Sequence, residues 1–213
     1  MLAPFLLIIL GILAVPALLF FGFWKVLRTG FENLGFAPET VVIVLVLMVL
    51  GSFVSIPLSK RKLVEVTESH FFGLFSRKRL TVQGLSLNVG GGAIPLAIAG
   101  FLLFRVPLQE TLIAILLMTL IVWKLSRIIP NRGVAVPVFL PPLFAVLFAV
   151  VLAPQEPALV AFVAGTLGVL IGADLLRLPQ VMKGGVGMLS IGGAGVFDGI
   201  FLVGIVAALL AGL

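Results

Sequence analysis

The chain has no cysteine, no tyrosine and a single histidine, and only 10% of its 213 residues are charged. Without cysteine there is no disulfide and no thiolate metal site. A protein metal site takes three or four ligands, and nothing near His70 supplies the others, so His70 reads as a solvated loop residue. Soluble domains carry about 25% charged residues. At 10% charged and 62% hydrophobic, this chain cannot cover a surface with polar groups, and lipid must be the solvent for most of it. Phosphate-binding glycine motifs, nucleophile elbows, paired His-Glu metal helices and nucleic-acid modules are absent from the sequence. The expectation is therefore no cofactor, no metal and no nucleic-acid partner. The net charge of +6 sits in loops between apolar runs, as membrane orientation requires.

What is present is a series of long apolar runs. A spanning helix needs roughly 17–25 mostly apolar residues. Such runs fall at about 3–24, 41–58, 86–104, 110–126, 137–153, 157–176 and 190–212. The expected fold is an all-α integral membrane protein of about seven transmembrane helices, forming a single membrane domain over 1–213. The first run lacks a basic leader and is too long for a signal peptide. Lys60, Arg61, Lys62, Arg77, Lys78, Arg79, Lys124, Arg127, Arg132, Arg177 and Lys183 lie on one side of this arrangement, and only Lys25, Arg28 and Arg105 on the other. The positive-inside rule then puts the N-terminus inside and the C-terminus outside. Trp24 and Trp123 fall at run ends, where interfacial aromatics belong. The expected location is a prokaryotic cell membrane, with the lipid bilayer as first partner.

The loop over 59–85 alternates loosely at Leu63–His70 and again at Arg79–Gln83, on either side of Gly73. That pattern predicts a small cytoplasmic β-hairpin. The alternative is a short amphipathic helix whose Phe71, Phe72 and Phe75 dip into the headgroups. Two stretches also resemble each other: LNVGGGAIPLAI at 87–98 and LSIGGAGVFDGI at 189–200. They suggest a parallel repeat, runs one to three against runs five to seven.

The acidic residues carry the chemical argument. All six glutamates lie in loops or at run ends, whereas the only two aspartates, Asp174 and Asp198, lie within apolar runs. A carboxylate in hydrocarbon costs a few kcal/mol or more and normally faces a bundle interior or a wet cavity. From their distances to the run ends, the two sit roughly 6 and 12 Å from the inner boundary, so a carboxylate pair is feasible. Two adjacent carboxylates share a proton. This is the chemistry of aspartyl proteolysis and equally of a proton or cation relay. Against it, Asp174 would cap a backbone group at the interface and Asp198 bond a neighbouring helix. On an α-helical count Asp174 lies about 160° from Gly172, away from the small-residue stripe, unless the helix breaks near Gly172.

Gly90, Gly91 and Gly92 open the third run, and Gly192, Gly193 and Gly195 the seventh. Such openings serve either close backbone packing or a polar site with free N–H groups. Asn88 and Ser190 occupy matching positions in the two stretches, and Pro95 can break the third run. Asn88, Gly90, Gly91, Pro95, Ser190, Gly192, Gly193 and Gly195 are the candidate binding residues, beside Asp174 and Asp198 as the catalytic candidates. Pro130–Pro137, followed by Pro141 and Pro142, reads as a Pro-rich loop with Pro in a first helical turn. Its alternative is an extended entry into the site, permitted only under protein or water cover.

The run Ile171-Gly-Ala-Asp174-Leu-Leu, then Ser190-Ile-Gly-Gly-Ala-Gly-Val-Phe-Asp198-Gly-Ile-Phe-Leu, with Asn88-Val-Gly-Gly and Ile94-Pro95, resembles a polytopic membrane family of bacteria and archaea known as a domain of unknown function. The resemblance covers about residues 45–213 and implies no activity. A looser similarity is to intramembrane aspartyl proteases of the presenilin and prepilin-peptidase types, which use one aspartate from each of two spans, the second in Gly-x-Gly-Asp. Here Gly193-Ala-Gly195-Val-Phe-Asp198 has two extra residues before the acid, and the Tyr-Asp and Pro-Ala-Leu elements are missing. That similarity implies a membrane-embedded peptide substrate. The other expected functions are a proton- or cation-coupled small-solute transporter, on the strength of the repeat, and a non-catalytic scaffold.

Overall fold

The computed structural model describes residues 2–60, 62–70, 75–129, 133–183 and 188–212. Its helices follow the apolar runs, except that the first continues past Trp24 to Asn33 and a short one stands at Leu178–Lys183, outside the expected runs. They are α1 (Leu2–Asn33), α2 (Pro38–Gly51), α3 (Ile94–Leu102), α4 (Leu108–Leu125), α5 (Leu140–Leu152), α6 (Pro157–Val169), α7 (Leu178–Lys183) and α8 (Gly199–Ala211). Proline stands in the first turn of α2, α3, α5 and α6, where its missing N–H has no helical acceptor to lose. Three helical stretches are long and apolar enough to cross a membrane, Ala14–Asn33, Leu108–Leu125 and Pro157–Met182, and four shorter apolar helices accompany them. This is a helical membrane protein.

The sequence alone overstates the helix content of four runs. Residues 55–57, 86–88, 137–139 and 190–191 are not helical. They form strands or extended chain because glycine and proline cluster beside them. The consequence is that α2, α5 and α8 are only 14, 13 and 13 residues long. At 1.5 Å per residue each covers about 20 Å of a hydrocarbon layer about 30 Å thick. Strands and extended chain make up the difference.

The predicted hairpin forms and is longer than expected. β2 (Lys62–His70) pairs antiparallel with β3 (Phe75–Asn88), with Lys62 opposite Gln83 and His70 opposite Phe75. The helical alternative for this loop is thereby replaced by strands, while Phe71 and Phe72 lie outside the described residues. β3 continues beyond the hairpin into the bundle. There it pairs with β1 (Ser55–Pro57) on one side, Ser55 opposite Asn88, and in parallel with β6 (Met188–Ile191) on the other. A second small sheet pairs β4 (Arg127–Ile129) with β5 (Gly133–Ala135).

The core centres on α6, where every residue from Val160 to Thr166 is buried. It packs between α4, α5 and α8, and α1 lies outside α8 with Phe31 stacked on Phe201 at 6.0 Å. The α6–α8 seam closes on glycine: a methyl group on Gly165 would stand 3.3 Å from the Gly204 Cα. Small residues bring the two backbones together, as in membrane helix pairs generally.

Candidate functional site

Asp174 sits on a π-helical turn, Leu170–Leu175, that continues α6. The Leu176 N–H donates to the Ile171 carbonyl at 2.9 Å, the five-residue spacing of a wider turn. The cause is visible in the packing against α4. A Cβ on Gly172 would lie 2.6 Å from the Thr119 carbonyl oxygen, and one on Gly168 2.5 Å from the Met118 Cβ. These two glycines serve close packing. The π turn also lags behind an α-helical count, so Asp174 is not where uniform periodicity puts it. It lines a cavity with residues at the start of α8.

Asp198 caps α8. Its Oδ1 accepts from the Ile200 N–H at 3.1 Å, the usual bond of an N-cap aspartate, and its Oδ2 from the Ala194 N–H at 3.3 Å. A single 3-10 turn, Gly195–Phe197, leads into it. No described residue donates a hydrogen bond to Asp174. Both acids are half-buried, and both line one cavity of about 170 Å³. Val169 and Ala173 form one wall, Phe197, Gly199, Leu202 and Val203 a second, and the extended segment Val134–Val138 the third. Apart from the carboxylates the lining side chains are apolar. The space has room for several water molecules. The proline-rich segment does border the site, and Pro137 itself lines it.

The glycine-rich entries lie elsewhere. The Asn88 side chain caps the π-helical turn Val89–Ala93 by accepting from the Gly91 N–H at 2.9 Å, and donates to the Ser52 carbonyl at 2.8 Å and the Ser55 hydroxyl at 3.4 Å. A Cβ on Gly91 would run into the carbonyl oxygens of Gly192 and Gly195, and one on Gly192 into the backbone of Gly91 and Gly92. Gly192 and Gly195 have φ of 70° and 62°, the left-handed region that favours glycine. Gly90 backs onto Met48 and Ser52, and Gly193 onto Ser190. The Ser190 hydroxyl is buried without a described partner. Pro95 is buried in the first turn of α3 and does not break it. None of these eight residues lines the aspartate cavity. The two similar stretches do meet, but Leu87 pairs with Ile191 rather than with Leu189, a register two residues away from the sequence match.

Sequence reasoning passed over Phe197 and Arg177. Phe197 is next to Asp198, 64% exposed, and stacked on Phe23 of α1 at 5.5 Å. Arg177 binds the end of α4 through the Trp123 and Ser126 carbonyls and stacks on the Trp123 ring. A cation three residues beyond a buried acid was the available signal. Among the described residues no three His, Asp or Glu side chains come together as metal ligands.

The family model described as "Protein of unknown function (DUF1614)" matches residues 49–210. The chain belongs to that family. The matched region runs from the last turn of α2 to the end of α8, so it takes in both aspartates, both glycine entries and the strands, and leaves α1 outside. No curated protein and no solved structure matches the chain.

Proposed function

We propose that this protein is an intramembrane aspartyl protease-like hydrolase in which Asp174 and Asp198 share a catalytic water. The observation that carries the reading is that the chain's only two aspartates, 24 residues apart in sequence, line one otherwise apolar cavity. The reading takes seven spans with the N-terminus inside, so that the Lys- and Arg-rich end of the bundle and its cavity open toward the cytoplasm. Asp198 is held by two backbone N–H groups and serves as the acceptor. It takes a proton from water as the water oxygen attacks a peptide carbonyl carbon. Asp174, with no bond to hold it, turns to the carbonyl oxygen and gives it a proton. The tetrahedral intermediate then collapses: one hydroxyl returns its proton to Asp174 as C=O reforms, the C–N bond breaks, and the leaving nitrogen takes the proton held by Asp198. Phe197 and Val138, 64% and 60% exposed at the cavity rim, give an apolar segment a lateral approach from lipid.

The test is cleavage of a panel of transmembrane-segment peptides by the full chain in lipid nanodiscs. We expect Asp174→Asn and Asp198→Asn each to lower the rate by at least about a thousandfold, as loss of a reacting group does. Cleavage that survives both substitutions overturns the reading.

A second reading, a proton- or cation-coupled transporter, draws on the non-α entries at Val89–Ala93, Leu170–Leu175 and Gly195–Phe197. Interrupted helices of this kind frame transport sites. It requires solute-dependent proton or cation flux in proteoliposomes that either substitution abolishes. Absence of both activities in wild type, with stability alone changed in the variants, leaves the scaffold.

A further inference from the structure

Behind the wall formed by Val136 and Pro137 lies a second, larger pocket of about 540 Å³. It shares those two residues with the aspartate cavity but differs in charge. Its polar groups are Lys124, in the last turn of α4, and Arg127, in β4, and its remaining wall includes Ile129 and Leu140. Cations near a helix C-terminus ordinarily serve its unpaired carbonyls. Here Arg177 already does so: its Nη2 donates to the Trp123 and Ser126 carbonyls and its Nε to the Ser126 hydroxyl at 3.0 Å. Lys124 and Arg127 are both exposed, and neither side chain has a hydrogen bond or ion pair to a described residue. They are two cations lining one pocket.

The surroundings specify an amphiphile. The pocket sits where α4 ends and α5 begins, and these helices pack together. From it an exposed apolar stripe runs down each: Leu120, Leu116 and Leu112 on α4, and Leu143, Leu147 and Val151 on α5. Both have the four-residue spacing of one helix face. Trp123 stands at the head of the α4 stripe, where interfacial indoles lie. We propose that the Lys124–Arg127 pocket binds the phosphate of an anionic phospholipid, with its acyl chains along these two stripes. Ammonium and guanidinium both donate to phosphate oxygens, the guanidinium in a bidentate fork. The proposal does not rest on catalysis by the aspartates.

Trp123 provides the reporter. In a Trp24→Phe background it is the only tryptophan. The full chain is reconstituted in phosphatidylcholine bilayers containing brominated phosphatidylglycerol, or brominated phosphatidylcholine for comparison, and quenching is titrated. Expected is preferential quenching by the anionic lipid. In Lys124→Gln/Arg127→Gln that preference falls about 30-fold, the worth of two interfacial charges. An Arg105→Gln control at the opposite end of the bundle retains it. Equal quenching by the two lipids in wild type overturns the proposal whether or not the double variant folds. Displacement of the anionic lipid by millimolar inorganic phosphate assigns the pocket to free phosphate and overturns the lipid assignment. The same preference in Asp174→Asn/Asp198→Asn separates the lipid site from the hydrolase reading, since it survives even where no peptide is cleaved.

Discussion

Two places at the same end of the bundle are built from similar-looking sequence and have opposite characters. Where Gly90–Gly92 crosses Gly192–Gly195, backbone meets backbone, the Asn88 amide is fully engaged, and no room remains for a methyl group on Gly91 or Gly192. Where the π turn of α6 faces the start of α8, space is left, and of two carboxylates only one is held. The first arrangement is a fastening and the second an opening. Conspicuous glycines mark where chains must touch. The less conspicuous signal, an acid in an apolar run, marks where they stay apart.

The sharpest way to break this contrast is at the crossing. Gly192→Val adds a side chain to a left-handed backbone already against Gly91 and Gly92. It should cost upwards of about 4 kcal/mol, enough to abolish the folded protein, read as loss of the monodisperse peak in detergent. A Gly192→Val chain that melts like wild type would make the crossing a loose contact.

Smaller is Asn88→Ala, which strands the buried Gly91 N–H and removes two donated bonds. About 1–3 kcal/mol is expected, the cost of an unsatisfied buried donor, measured by thermal unfolding in nanodiscs. No peptide binding should be lost beyond what the destabilisation explains, because Asn88 does not reach the cavity.

Smallest, and most telling, is the difference between the acids. Asp198→Ala removes an N-cap and should cost about 1 kcal/mol. Asp174→Ala removes a half-buried carboxylate with no described partner, and should be neutral or stabilising on the same melting assay. If Asp174→Ala destabilises as much as Asp198→Ala, both acids are structural and the contrast between fastening and opening fails.

Much of this was legible in the sequence. Helices follow the apolar runs, because hydrocarbon requires every backbone group to be bonded within its own segment. The hairpin at Lys62–His70 was legible from alternation, and both aspartates from their isolation in apolar text. The break near Gly172 was readable as a condition and not as a fact, since periodicity counts residues evenly. Whether four of the runs would be helical to their ends was not legible: residues such as Ser86 and Ile191 suit a strand or a buried helix equally, and only the pairing of β3 with β6 selects between them.

The sequence by itself determined the solvent of this protein, the positions of its helices and the identity of its two buried acids, because each depends on local composition and spacing. Tertiary structure alone decided that the acids share a cavity while the glycines close on one another. Both outcomes turn on the direction in which a backbone faces its neighbour. That direction is set by Gly168 and Gly172 pressing against α4 and by Gly91 against Gly192, contacts between residues too far apart in the chain for any local pattern to record.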